Sequence, residues 1–152
     1  MSQRAFERAL EALARKERTK GELEAWLGER GFDPDDVAAA IERLVAIDEL
    51  DDARFARRYA ADKRELRGWG PERIREALAS RGVDPRLIEA ALDEEGDRDL
   101  RKRAIGLLER RGDPLDDDRA RARALAFLTR RGYDYELAYE AVRVVAARLG
   151  GR

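Results

Sequence analysis

The chain contains neither cysteine nor histidine. The first absence excludes disulfide frameworks and thiolate metal sites. The second removes the usual general base, the usual zinc ligand and every serine–histidine or cysteine–histidine nucleophile pair. Carboxylates are plentiful, yet nothing in the sequence alone brings two of them to one pocket. No catalytic residue, no metal site and no cofactor is therefore expected. No apolar run approaches the roughly 20 residues that cross a bilayer. The amino terminus, Met1-Ser2-Gln3-Arg4, runs into an amphipathic pattern with no signal-peptide core, so a soluble cytoplasmic protein is expected. Aromatics are scarce at 7%. Charge of one sign is missing too: 32 Lys and Arg stand against 33 Asp and Glu, a formal net charge of −1.

What is present is repetition. Arg30-Gly31-Phe32-Asp33 returns as Arg81-Gly82-Val83-Asp84 and as Arg131-Gly132-Tyr133-Asp134. The period of about fifty residues lies in the range of repeat architectures. Glycine after the last helical residue takes a left-handed conformation cheaply and ends a helix. The arginine before it faces the negative end of the helix dipole, which explains Arg30, Arg81 and Arg131 without a ligand. An aromatic or branched residue plugs the corner. The aspartate caps the next helix, followed in two copies by Pro34 and Pro85 at the first helical position. Each unit is a helix–helix corner.

Periodicity fills in the rest. Phe6, Leu10 and Leu13 mark a helix over 4–16. Thr19-Lys20-Gly21-Glu22 is a capping box opening a second helix, with Leu23, Trp26 and Leu27 inward. Val37, Ile41, Leu44 and Val45 form one face of a third, and Asp48 stands at its end, a residue less tolerant of the left-handed region than glycine. Asp51 caps the fourth helix, and Leu50 and Phe55 staple it beside Asp52. Phe55, Tyr59 and Leu66 are spaced for its buried face. Gly68-Trp69-Gly70-Pro71 is the strongest turn signal in the chain. Ile74 and Leu78 mark the fifth helix, and Leu87, Ile88 and Leu92 the sixth, closed by Gly96. A seventh stops at Gly112, Asp116 to Asp118 open an eighth, and a ninth runs to Leu149. Gly150-Gly151-Arg152 is expected to fray. No period-2 segment appears. The expectation is an all-α fold of three tandem three-helix repeats (1–50, 51–96 and 97–152), forming an elongated, curved array in which units mostly touch their neighbours.

The balanced net charge hides blocks. Residues 33–52 and 82–97 are strongly acidic, while 54–81 and 98–131 are basic. For single charges, solvated faces with i,i+4 pairs suffice. Alternating blocks on a repeat also suit a charged partner. The basic block around Gly68 is the candidate binding site: Arg57, Arg58, Lys63, Arg64, Arg67, Trp69, Arg73 and Arg75. Guanidinium groups beside an exposed indole suit phosphate and stacking contacts. Trp69 alternatively folds back onto the repeat junction.

The run Leu50-Asp51-Asp52-Ala53-Arg54-Phe55-Ala56, then Arg64, Arg67-Gly68-Trp69-Gly70-Pro71, Ile74, Leu78 and Gly82, resembles the RecX regulatory family. The likeness extends over essentially the whole chain. It departs at Asp48, where the family pattern has glycine, and in its acidic balance. The resemblance implies a non-catalytic modulator of the recombinase RecA, usually an inhibitor; a monomer is expected. Such a protein lies along the groove of the RecA nucleoprotein filament and lowers its ATPase, strand-exchange and co-protease activities. Weak contact with single- or double-stranded DNA is secondary. A helical DNA-binding protein acting without recombinase is the alternative, since three-helix units can place a helix in a groove. No helix combines several bases with Asn or Gln for base reading, which argues against it.

Overall fold

The computed structural model describes residues 2–151, Ser2 by its backbone alone. Among the described residues there are nine α-helices and no strand. They are α1 (Ser2–Arg15), α2 (Lys20–Glu29), α3 (Pro34–Ala46), α4 (Asp52–Asp62), α5 (Pro71–Ser80), α6 (Pro85–Leu92), α7 (Asp97–Arg111), α8 (Asp118–Arg130) and α9 (Tyr135–Gly150). A single wide π-turn, Lys63–Arg67, continues α4. The fold is an all-α repeat arrangement, as the periodicity predicts.

The three corners close alike. The plug residue donates its N–H to a carbonyl one residue further back than an α-helix would use: Phe32 to Leu27 at 3.4 Å, Val83 to Leu78 at 3.2 Å and Tyr133 to Leu128 at 3.1 Å. The preceding glycine donates to Gly28, Ala79 or Thr129 at 3.0, 3.0 and 3.1 Å. This is the Schellman pattern, and it demands a left-handed residue at the glycine, where φ is +85°, +80° and +102°. Asp84 and Asp134 then accept N–H bonds from Arg86 and Leu137, both at 2.8 Å. Asp33 makes no side-chain cap bond. Asp48 occupies the glycine place of the same pattern at the end of α3: Glu49 N–H reaches Leu44 and the Asp48 φ is +63°. Its carboxylate pairs with Arg54 at 3.2 Å.

The described residues cluster into two compact units, Met1–Arg58 with Leu78–Ile88, and Tyr59–Ala77 with Glu89–Arg152. The middle repeat contributes to both. In the first unit α1 packs chiefly on α3, burying Phe6, Leu23, Leu27, Ile41, Leu44 and Leu50. In the second, α7 and α8 pack on α9 around Ile105, Leu108, Leu128, Tyr133, Val142 and Val145. Thr19 closes the predicted capping box with Glu22 at 2.9 and 3.1 Å. Asp51 caps α4 through Arg54 N–H at 2.9 Å, with Leu50 and Phe55 both buried.

Three expectations are corrected. Leu66 is 77% exposed, not buried, because the π-turn adds a residue to the turn and rotates Leu66 off the stripe begun by Phe55 and Tyr59. Val45 is half-exposed, since it stands one position, about 100° of helix, beyond Leu44. Gly96 does not stop the sixth helix, which ends at Leu92; it is the extended N-cap of α7, with φ −71°. At the carboxyl end Gly150 completes α9 and Gly151 follows it, while Met1 and Arg152 lie outside the described residues.

Candidate functional site

The corners do more than reverse the chain. In the first unit, the second corner docks on the start of α2. Thr19 Oγ1 donates to the Arg81 carbonyl at 2.5 Å, and the backbone at Gly82 lies against Gly21. The Arg81 guanidinium reaches Glu22 at 2.9 and 3.2 Å and the Glu17 carbonyl at 3.4 Å, with the Phe55 ring beneath it. Burial pushes the Glu22 carboxyl up, but bonds from Arg81 and Thr19 outweigh it and hold the group below the ordinary glutamate value.

In the second unit, the third corner docks on the start of α5 by the same logic. Gly70 N–H donates to the Arg131 carbonyl at 2.7 Å and Glu72 N–H to the Gly132 carbonyl at 2.9 Å. The Arg131 guanidinium reaches the Arg67 carbonyl at 2.7 Å. Here backbone meets backbone so closely that a Cβ on Gly70 would stand 2.5 Å from the Gly132 oxygen. Only glycine fits. Thus Arg81 and Arg131, explicable as helix-end cations, also bind the preceding repeat; Arg30 lies instead over its own Trp26 at 3.6 Å.

Around this second joint lies the candidate turn. Gly68, left-handed at φ +67°, ends the π-turn. Its carbonyl accepts from the Tyr133 hydroxyl at 3.1 Å, and that hydroxyl accepts from Arg103 at 2.6 Å. Arg103 also donates to the Trp69 carbonyl at 2.9 Å and grips Glu95 with two bonds of 2.7 and 2.9 Å. Arg64 faces the same carboxylate at 3.4 Å and donates to the last carbonyls of α6, Ala91 and Leu92, at 3.0 and 3.2 Å. Burial raises the Tyr133 phenol to about 12, with Arg103 opposing. These charges are largely shielded from water and hydrogen-bonded to one another and to the backbone, which holds the turn in place.

The sequence-nominated residues separate accordingly. Arg64, only 13% exposed in its side chain, belongs to this inner network. Arg75 is held charged by Glu89 (2.8 and 2.9 Å) and Glu72 (2.7 Å). Lys63 and Arg73 both lie over the half-buried Trp69 ring, 4.8 and 4.3 Å from its centroid. These three come together. Arg67 is exposed and its side chain makes no bond or ion pair among the described residues. Arg57 and Arg58 lie in the first unit, exposed on α4, where Arg58 pairs with Glu17. The turn therefore presents an exposed leucine, a free arginine and a cation-clamped indole. Glu95, Arg103 and Tyr133 were missed by sequence reasoning. The one available signal was a hydroxyl at a buried plug position, which requires a partner.

Comparison with known proteins follows the same outline. Residues 5–44 match the family model described as RecX, first three-helix domain, and residues 51–92 match RecX, second three-helix domain. The regulatory protein RecX of Mycolicibacterium vanbaalenii is 36% identical over 143 residues, covering 88% of this chain and 77% of that protein. That of Chromohalobacter salexigens is 36% identical over 128 residues, covering 84% of each. A crystal structure of RecX from Lactobacillus salivarius shares the fold with a TM-score of 0.85 at 21% identity, over 96% of this chain and 97% of that one.

Proposed function

The chain belongs to the RecX family of regulatory proteins, and from that membership we propose that it is a non-catalytic regulator that binds the RecA nucleoprotein filament. It acts in the cytoplasm as a monomer of three repeats, 1–50, 51–96 and 97–152. It lies along the filament groove, with weak DNA contact secondary, and lowers ATPase, strand-exchange and co-protease activity during recombinational repair and the SOS response. The mechanism is steric and electrostatic: a rigid surface occupies the space that filament subunits need to change state. The observation that carries the site assignment is the turn at Gly68, where the Trp69 ring is clamped by Lys63 and Arg73 beside the exposed Leu66 and Arg67. A rigid indole flanked by cations is the composition of an interface anchor.

Titration into a RecA–single-stranded DNA ATPase assay tests the reading. Activity should fall with added protein, and the effect should weaken with salt, because exposed charges are screened within about 10 Å at 0.1 M. Unchanged ATPase at several-fold molar excess contradicts it. Tight, sequence-dependent binding to duplex DNA without recombinase would favour the DNA-binding alternative instead.

A further inference from the structure

Counting from the corner glycines, the third repeat lacks an ion-paired cluster that the second repeat carries. In the second repeat Glu72, Arg75 and Glu89 join α5 to α6 through ion pairs of 2.7 and 2.8 Å. The corresponding residues in the third repeat are Ala122, Leu125 and Tyr139. With the ion pairs gone, α8 and α9 leave a groove of about 570 Å³ whose floor includes Ala122, Leu125 and Ala146. Tyr135 and Tyr139, 63% and 56% exposed, line it as a stacked pair with centroids 6.2 Å apart and planes within 20°. Arg121 and Arg143 stand at its edge, and the Arg143 side chain makes no bond or ion pair among the described residues.

The geometry points to this groove as a second contact with the recombinase filament, distinct from the Gly68 turn and resting on the function proposed above. Its occupant is a protein segment offering one bulky apolar side chain with a carboxylate beside it. The aliphatic floor selects the apolar group, and the unpaired Arg143 supplies the complementary charge for the carboxylate. A nucleic-acid strand fits worse. The two tyrosines stack on each other, which leaves no gap for a base, and Asp118, fully exposed at the mouth and only 3.7 Å from Arg121, opposes a phosphate backbone.

Hydroxyl-radical footprinting of Tyr135 and Tyr139 tests this, with the full chain free, with single-stranded DNA, and with RecA–DNA filaments. Both side chains should become several-fold less reactive on filaments and unchanged on DNA alone. Tyr139→Ser and Arg143→Glu, both at exposed positions, should retain the helical spectrum of the parent and weaken filament binding about tenfold each. Tyrosines that stay fully reactive while the chain binds filaments would overturn the groove and leave the function standing. Protection by DNA alone would assign the groove to nucleic acid and overturn it too. Failure of the unaltered chain to bind filaments would remove the function itself and this inference with it.

Discussion

The two joints are built on one plan and held by different forces. At the first, between Thr19–Glu22 and Arg81–Gly82, a side chain donates to the corner carbonyl and a half-exposed ion pair ties the surfaces. At the second, between Gly70–Arg73 and Arg131–Gly132, the backbone itself donates, and a largely shielded network of Arg64, Glu95, Arg103 and Tyr133 lies behind it. The closest approach of a new Cβ shows the contrast. On Gly21 it would lie 3.3 Å from the Gly82 oxygen, a tight contact relieved by a shift of a few tenths of an ångström; on Gly70 it would lie 2.5 Å from the Gly132 oxygen, where the backbone itself must move. The same corner can thus serve as a soft seam or a rigid one, according to what lies behind the glycine.

The comparison breaks most visibly at the glycines. Gly70→Ala should cost about 3 kcal/mol or more, or prevent folding, since two backbones must part. Gly21→Ala, inside the first turn of α2, should be close to neutral, its helix-propensity gain of up to about 1 kcal/mol offsetting the tighter contact. Thermal or urea unfolding of the two variants measures the difference directly.

Next in size are the ion pairs. Arg103→Ala leaves the Glu95 carboxylate, with a side chain 10% exposed, without its two-pronged partner and should cost roughly 3 kcal/mol. Arg81→Ala removes a pair whose partners are about one-third exposed and should cost about 1 kcal/mol or less. Equal losses would show that the two seams do not differ in kind.

Opposite pH limits should follow. Glu22 titrates below its ordinary value in the fold, so its contribution is complete above the unfolded glutamate pKa and fades as pH falls through and below it. Tyr133 titrates near 12, above the ordinary 10, so its contribution is complete below pH 10 and is lost as pH rises towards 12. Hydrogen exchange should show the first joint opening in acid and the second in alkali. Glu22→Gln should flatten the acid limb and Tyr133→Phe the alkaline one.

The smallest effect belongs to Asp48, left-handed at φ +63° in a glycine place. Asp48→Gly should change stability by no more than about 1 kcal/mol in the stabilising direction, the relief of strain being partly cancelled by loss of the Arg54 pair.

These contrasts mark how far the sequence could be read. The corners were legible because a left-handed glycine, a plug and a capping aspartate are local requirements written in adjacent residues. The capping box at Thr19 and the staple at Leu50 and Phe55 were legible for the same reason. Leu66 was not, because a π-turn shifts the register without leaving a mark in composition. Nor was the inward turn of Arg64, whose partners Glu95, Ala91 and Leu92 are distant in sequence. Of the nominated basic block, the chain order showed that cations crowd one turn; it could not show that Arg75 is already bound to Glu89 while Arg67 is free. Tertiary pairing decides which charges remain available to a partner.

The most direct measurement of the central claim is equilibrium binding of labelled protein to RecA–DNA filaments beside the same DNA alone, at low and at moderate salt. Saturable binding to filaments that weakens with salt, with far weaker binding to bare DNA, is the expected result. Equal affinity for filament and bare DNA, or no binding to filaments, would contradict the account.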